Sequence, residues 1–375
     1  MNVSIEEIKD EKNDEFSSDD LYNIKSWGAD LSIRELIDRY NDRDMIKPEL
    51  QRKYVWDKNE ASYFIDSLLL GLPVPSIFLA QDSNQRWLIV DGYQRLMTVN
   101  DYIHVGVFSR DKKRFSLSNS QKINEQWRNK TFQELEDSEK RRLRNTTIHA
   151  IIFEQKEPRD NDSSLFQIFE RINASGKNLM PQEIRNCIFQ GIFNRLLFEL
   201  NVNSDWRVLF GTENEDSRMR DIELILRFFA LKSENIKNIK IAQISLKKYL
   251  NDFMGENKNL DKDTENIMRT NFNETMKLIY ESFGKTAFRN FIDNSKELTS
   301  KRFHPTIFDS IAIATSNAIE VMGDNLDLKN IKLKRENLLR NEKYQQYISV
   351  RTTNIESILG RINLASKTLF DIDYV

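Results

Sequence analysis

The chain reads as an α+β protein, with a small mixed-sheet region followed by a large helical half. Three observations predict this. Up to about Phe153, short apolar or alternating runs are mixed with helical stretches. Beyond Asp160, apolar residues recur at helical spacing almost to the end. No apolar run approaches the ~18 residues needed to cross a bilayer, and the best candidate, Ile222 to Leu231, is broken by Glu and Arg. At 375 residues the chain suits two domains and can bury a core without staples. The expected division is an acidic, frayed head over residues 1–20, a sheet-bearing domain over 21–158, and a helical domain packed on it over 159–375.

Taken in order, the first expected element is a helix from Ser32, where Ser32-Ile33-Arg34-Glu35 has the form of a capping box and Ile33, Leu36, Ile37 and Tyr40 supply one apolar face. Asn59 is the expected cap of a second helix that ends at Gly71. Pro73 and Pro75 force an extended approach to a strand over Ser76 to Ala80. Asp82-Ser83-Asn84 turns the chain, and Trp87 to Val90 returns as an apolar strand. Asp91-Gly92 breaks it, and Arg95 to Val105 has helical spacing, so these residues sit on a strand–turn–helix junction. Thr146 to Phe153 is a further strand. Helices are then expected at Ser163–Ile172, from Pro181 to Leu200, and near Met219–Leu231, Ser245–Met254, Thr264–Phe283, Pro305–Met322, Glu336–Ile348 and Asn354–Leu369. Lys232 to Asn238 reads as a loop.

Composition narrows the function classes. Hydrophobic residues at 39% and charged residues at 30% are the balance of a soluble protein with well-covered surfaces. With 56 basic and 58 acidic side chains the net charge is −2, which argues against non-specific coating of nucleic acid. Local basic clusters exist around Arg110–Arg114, Lys140–Arg144 and Lys332–Arg335, each read first as a solvated face. Cys187 is the single cysteine, which excludes an intramolecular disulfide and fits a reducing compartment. The acidic head (Glu6, Glu7, Asp10, Glu11, Asp14, Glu15) has no apolar segment of the signal-peptide kind, so a cytoplasmic protein without membrane association is expected.

The chemistry concentrates at Asp91-Gly92-Tyr93-Gln94-Arg95. A helix N-terminus attracts phosphate through unpaired N–H groups and the helix dipole. Gly92 lets the backbone approach an anion, Arg95 is a permanently charged bidentate clamp, and Gln94 can orient a water or hold a sugar or base edge. Asp91 would repel phosphate unless it binds a metal, accepts from a donor such as Arg52, or acts as a base. The plainer reading is an Asp-Gly β-turn with Arg95 in a surface ion pair, and on these residues alone the two stand level.

Gln51-Arg52-Lys53-Tyr54-Val55-Trp56, Gly71-Leu72-Pro73-Val74-Pro75 and the stretch from Val90 to Thr98 together resemble the signatures of the GmrSD-type N-terminal domain. That family belongs to the ParB/sulfiredoxin-like superfamily and is common in bacterial anti-phage restriction proteins. Its hallmark reads Asp-Gly-Gln-Gln-Arg, and relatives bind and hydrolyse nucleoside triphosphate. The resemblance continues through Phe169 to Asn173, Gly176, Leu179, Glu183 to Asn186, and Arg218 to Phe228. It implies a ParB/sulfiredoxin-like mixed sheet and a nucleotide-binding, NTP-hydrolysing component of anti-phage restriction. In that reading Asp91, Gln94 and Arg95 are catalytic, while Gln51, Arg52, Gly92, Tyr93, Asn173 and Gly176 hold the nucleotide. Mg²⁺ on Asp91 would bridge to the phosphates. The implied partners are DNA, plain or modified, or an effector such as a nuclease, with homo-oligomers compatible.

Two departures bear on this. Tyr93 stands where the hallmark has its first Gln, so hydrolysis is in doubt if that Gln positions water and unaffected if it merely packs. Many relatives append an HNH nuclease module, whereas His104, His149 and His304 have no metal-ligand spacing. The alternatives are therefore a non-catalytic DNA- or protein-binding module switched by nucleotide, and a nuclease in its own right. Trp56 reads first as a core anchor and second as a stacking face, Glu183 first as part of a surface helix and second as a catalytic or metal-binding carboxylate, and Cys187 as a buried hydrophobe.

Overall fold

The computed structural model describes residues 3–12, 24–46, 54, 56–81, 85–155, 163–172, 180–292 and 300–374. It divides into two compact units, one of residues 18–179 with 186–188, the other of residues 1–17, 180–185 and 189–375. The first helix of the chain, α1 (Lys9–Lys12), belongs to the second of these.

The sheet unit holds β1 (Ile24–Ser32), α2 (Ile33–Asn41), β2 (Met45–Ile46), α3 (Lys58–Leu70), β3 (Ile77–Gln81), β4 (Trp87–Asp91), α4 (Tyr93–Asn100), α5 (Asp137–Asn145), β5 (Thr147–Gln155) and α6 (Ser163–Ile172). The strands form one mixed sheet in the order β1-β5-β3-β4-β2. β1 runs antiparallel to β5 from Ile24 opposite Gln155 to Ser32 opposite Thr147. β3 lies parallel to β5 and antiparallel to β4, and β2 is parallel to β4. Alternation along the strands sends Ile148, Ala150 and Ile152 of β5, with Ile77 and Leu79 of β3, into the core that Leu36, Phe64, Ile65, Leu68, Leu96 and Val99 complete from the helices.

The local chemistry explains the boundaries. The Ser32 hydroxyl accepts from the Glu35 N–H at 3.1 Å, while the Glu35 carboxylate takes Arg39 Nε at 3.0 Å in an i,i+4 pair. The cap of α3 is Asp57, not Asn59: its carboxylate accepts from the Asn59 and Glu60 N–H groups, and Glu60 reaches back to the Asp57 N–H. Asn and Asp cap equally well, and what decides is that starting at Asp57 puts Glu60 at the third helical position, which the capping box requires. β1 is a strand the sequence reading passed over. Its inward set, Trp27, Ala29 and Leu31, does alternate with Ser26, Gly28 and Asp30, but Gly and Asp are poor strand formers.

The helical unit comprises α7 (Pro181–Ile188), α8 (Ile192–Asn201), α9 (Ser204–Phe210), α10 (Arg220–Lys232), α11 (Leu246–Glu256), α12 (Lys262–Phe283), α13 (Pro305–Met322), α14 (Ile331–Arg340), α15 (Glu342–Ser349) and α16 (Ile355–Phe370); the last residues of α7, 186–188, group with the sheet unit. α13 is its axis, buried from Pro305 to Ser316 and packed against α10, α12 and α16. Two expected single helices are each divided, Pro181–Leu200 at Phe189–Gly191 and Glu336–Ile348 at Asn341, whose side chain caps α15. Lys232–Asn238 is the end of α10 and a 3-10 turn.

Residues 3–12 of the acidic head, where a frayed segment was expected, pack into this unit. Ile5 bridges to Phe303, and Glu11 pairs with Arg227 at 2.6 Å. Arg227 also pairs with Asp309 at 2.6 Å, and Arg361 reaches the same carboxylate at 3.1 Å. Asp309 and Arg361 are fully buried, so the head supplies one of two carboxylates that offset two buried guanidinium groups. No described helix is long and apolar enough to cross a membrane.

Candidate functional site

β4 ends at Asp91 and α4 begins at Tyr93, with Gly92 between them at φ 100°, ψ 5°. Glycine is required here twice over. That φ is strained for any residue with a Cβ, and a Cβ on Gly92 would lie 2.5 Å from Ile77 Cγ2 and 2.9 Å from Ile77 Cβ. The neighbouring strand is pressed against the turn. As a consequence α4 starts with no side-chain cap.

Arg95 folds back over this start. Its Nη2 donates to Asp91 Oδ2 at 2.6 Å and to the Ser76 carbonyl at 3.1 Å. The guanidinium side chain is 14% exposed and the Asp91 side chain 41%, so the carboxylate is the part of the pair that solvent reaches. Arg95 Nε is buried with no hydrogen-bond partner among the described residues.

The segment before α3 reaches the same helix. The Trp56 N–H donates to Gln94 Oε1 at 3.3 Å. The Tyr54 hydroxyl lies 2.6 Å from Thr98 Oγ1, which itself donates to the Gln94 carbonyl at 2.7 Å. Thr98 has one proton and gives it to that carbonyl, so Tyr54 is the donor to Thr98. Tyr54 and Thr98 were not anticipated; their types and spacing carry no signal that separates them from ordinary core residues. Asp101, one turn further on, was also missed. It is buried and accepts from the Ser109 N–H and hydroxyl at 2.7 and 2.9 Å; burial pushes its carboxyl above the usual range, against those hydrogen bonds.

A family model, the GmrSD restriction endonuclease N-terminal domain, matches residues 33–190. These residues belong to that family. The GmrSD-type domain thus carries the whole of the Asp91–Arg95 turn, and the match ends before Arg218 to Phe228. A search of curated proteins found no match to the chain.

Within the GmrSD-type domain, Asp91, Gly92, Gln94 and Arg95 come together at one strand end. Tyr93, expected among the nucleotide-holding residues, is 6% exposed and part of the core cluster, and burial pushes its hydroxyl up to about 12. Its backbone lies on the turn, but its ring is a packing element, because the first residue after Gly92 points under the helix. Trp56 packs edge-on against Phe64 at 5.6 Å, in keeping with the core-anchor reading. Gln51, Arg52, Asn173 and Gly176 lie outside the described residues.

Glu183 is 3% exposed, accepts from the Met180 N–H at 2.6 Å and pairs with Arg218 Nε at 3.0 Å, which makes it a buried cap and not part of a surface helix. Arg185 is likewise buried among Asn251, Glu223 and Gln182. Beyond the match, Arg220 pairs with Asp216 and Asp221 with Arg207, so the charges of that stretch hold the helical unit together.

Among the described residues, no three His, Cys, Asp or Glu side chains converge to form a metal site. Mg²⁺ does not need one: it keeps several waters and is commonly held by one or two carboxylates plus phosphates. The half-exposed Asp91 carboxylate fits that role as a single protein ligand.

Proposed function

We propose that the chain is a nucleotide-binding, NTP-hydrolysing component of a restriction-type defence system, with its phosphate site at the turn after Val90. The observation that carries this reading is the uncapped start of α4 at a left-handed Gly92, directly beside the Asp91–Arg95 pair. The positive end of a helix that no side chain caps favours a bound phosphate. Arg95 holds Asp91 in place and brings its charge to the turn, and Asp91 would hold Mg²⁺, which would neutralise charge on the phosphates. The family name supports a role in restriction.

A second reading, nucleotide binding without turnover, is favoured by one contact. Gln94 Oε1 accepts from the Trp56 N–H, which occupies an oxygen that orienting a water would use. The proposed partners in either case are DNA or an effector protein whose binding alters nucleotide affinity and is altered by it in equal measure. Phosphate release from the four nucleoside triphosphates with Mg²⁺, comparing the parent with Asp91→Asn, tests the first reading. Release that Asp91→Asn abolishes supports hydrolysis at this turn. Tight binding with no release supports the second reading.

A further inference from the structure

The helical unit contains a cavity of about 450 Å³ between the end of α9 and the segment after α12, lined among others by Arg289, Lys285, Lys301 and Glu213. This is within the range of small-ligand sites. Arg207 also lines it, but Arg207 is matched by the buried Asp221 at 2.8 Å. Among the described residues the remaining charges are three cations against one carboxylate, a positive excess. Thr212, Thr286 and Ser300 add hydroxyl groups to the wall.

Arg289 is the unusual member. It is 8% exposed, and its Nη2 donates to the Phe210 carbonyl at 3.0 Å. Its Nη1 is buried with no hydrogen-bond partner among the described residues. The guanidinium lies over the Phe303 ring at 5.3 Å, a contact that holds the cation without neutralising it. Among the described residues no carboxylate pairs with this buried guanidinium, which is costly, and burial lowers its proton affinity to about 10. The wall beside it is fixed by a second buried arginine: Arg335 donates to the carbonyls of Thr286, Ala287 and Arg289 at 2.7, 3.0 and 2.8 Å. Arg335 itself does not line the cavity; its guanidinium is used up on those carbonyl oxygens. The buried Arg289 guanidinium beside Lys285 and Lys301 makes the cavity a place where an anion is favoured.

We propose that this cavity binds a phosphate dianion, free or as the end group of a small phosphate monoester, with Arg289 as its buried anchor and Lys285 and Lys301 at its mouth. A phosphate monoester carries about −1.5 to −2 at neutral pH, which matches the excess charge of the wall. Its oxygens suit the guanidinium fork and the three hydroxyls. The site lies in the helical unit, and its existence does not depend on the nucleotide turn.

The test is calorimetric titration of the full chain with inorganic phosphate and with a nucleoside 5′-monophosphate, at ionic strength matched by chloride. The variants are Arg289→Lys and the doubly exchanged Lys285→Glu/Lys301→Glu. A charge-matched control, Lys113→Glu/Arg141→Glu, changes exposed residues of the sheet unit. The expected result is binding by the parent and the control, reduced about tenfold or more in both cavity variants. If Arg289→Lys does not fold, the double variant decides, because its two residues are exposed. Equal affinity for the two ligands identifies free phosphate as the ligand, and tighter binding of the monophosphate identifies a monoester. Absence of phosphate binding by the parent, or binding undiminished in Lys285→Glu/Lys301→Glu, would overturn the proposal.

Discussion

Arg95 Nη2 bonds at once to Asp91 Oδ2 and to the Ser76 carbonyl, so one guanidinium ties the end of β4 to the entry of β3 across the first turn of α4. Because Asp91 is 41% exposed, the pair adds little to folding. Asp91→Asn is expected to lower stability by less than about 1 kcal/mol, read by urea denaturation. A much larger loss would mean that the carboxylate is a structural element and not the free end of a site.

Gly92 and Gly71 provide a controlled comparison. Both have positive φ, but a Cβ on Gly71 meets open space, whereas one on Gly92 meets Ile77. Gly71→Ala should cost about 1–2 kcal/mol from backbone strain alone. Gly92→Ala should cost about 1–3 kcal/mol more, from the added clash. Equal losses, measured by urea denaturation of both variants, would show that β3 can move away from the turn.

Tyr93 departs from the family hallmark, yet its ring is in the core. Tyr93→Gln should therefore act mainly on stability, lowering it by about 2 kcal/mol or more, through a lost aromatic and a buried amide. Tyr93→Phe keeps the ring and should cost less than Tyr93→Gln. Nucleotide affinity should be similar in all three proteins. A change in affinity or turnover with little change in melting temperature would return this position to the site.

The turn was legible in the sequence because its signals are local: a strand end, a glycine and a charged i,i+4 pair. The helices expected near Ser163–Ile172 and Pro305–Met322 were likewise legible, since a periodic apolar face and a Pro at the first helical position are also local signals. β1 was not legible, because its strand character comes from nine residues of pairing with β5, over a hundred positions away. The burial of Tyr93 was hidden for the same reason: which way the first helical residue points depends on what packs beneath it. Glu183 reads as a surface carboxylate until the turn before α10 brings Arg218 to it from 35 positions away.

His304 should make the helical unit acid-sensitive. It is 7% exposed, and burial holds its imidazole down at about 4, with Arg361 and Arg227 adding to the effect and Asp309 opposing it. Thr306 gives its proton to the Ile348 carbonyl, so the neutral ring donates from Nδ1 to Thr306 Oγ1 at 3.1 Å. The folded value lies below the unfolded 6.5, so the unfolded chain binds the extra proton first. Stability is unaffected above about pH 6.5 and falls as pH drops towards 4, by about 3 kcal/mol in all. Denaturation curves across this range should show that slope in the parent and a shallower one in His304→Gln. Identical slopes would contradict the assignment.

The most direct test of the nucleotide site is calorimetric titration of the full chain with each nucleoside triphosphate and Mg²⁺, comparing the parent with Asp91→Asn and Arg95→Ala. The account predicts binding by the parent and a loss of about tenfold or more in Arg95→Ala, with Asp91→Asn weakened only when Mg²⁺ is present. Binding of equal strength by all three proteins, or by none of them, would contradict it.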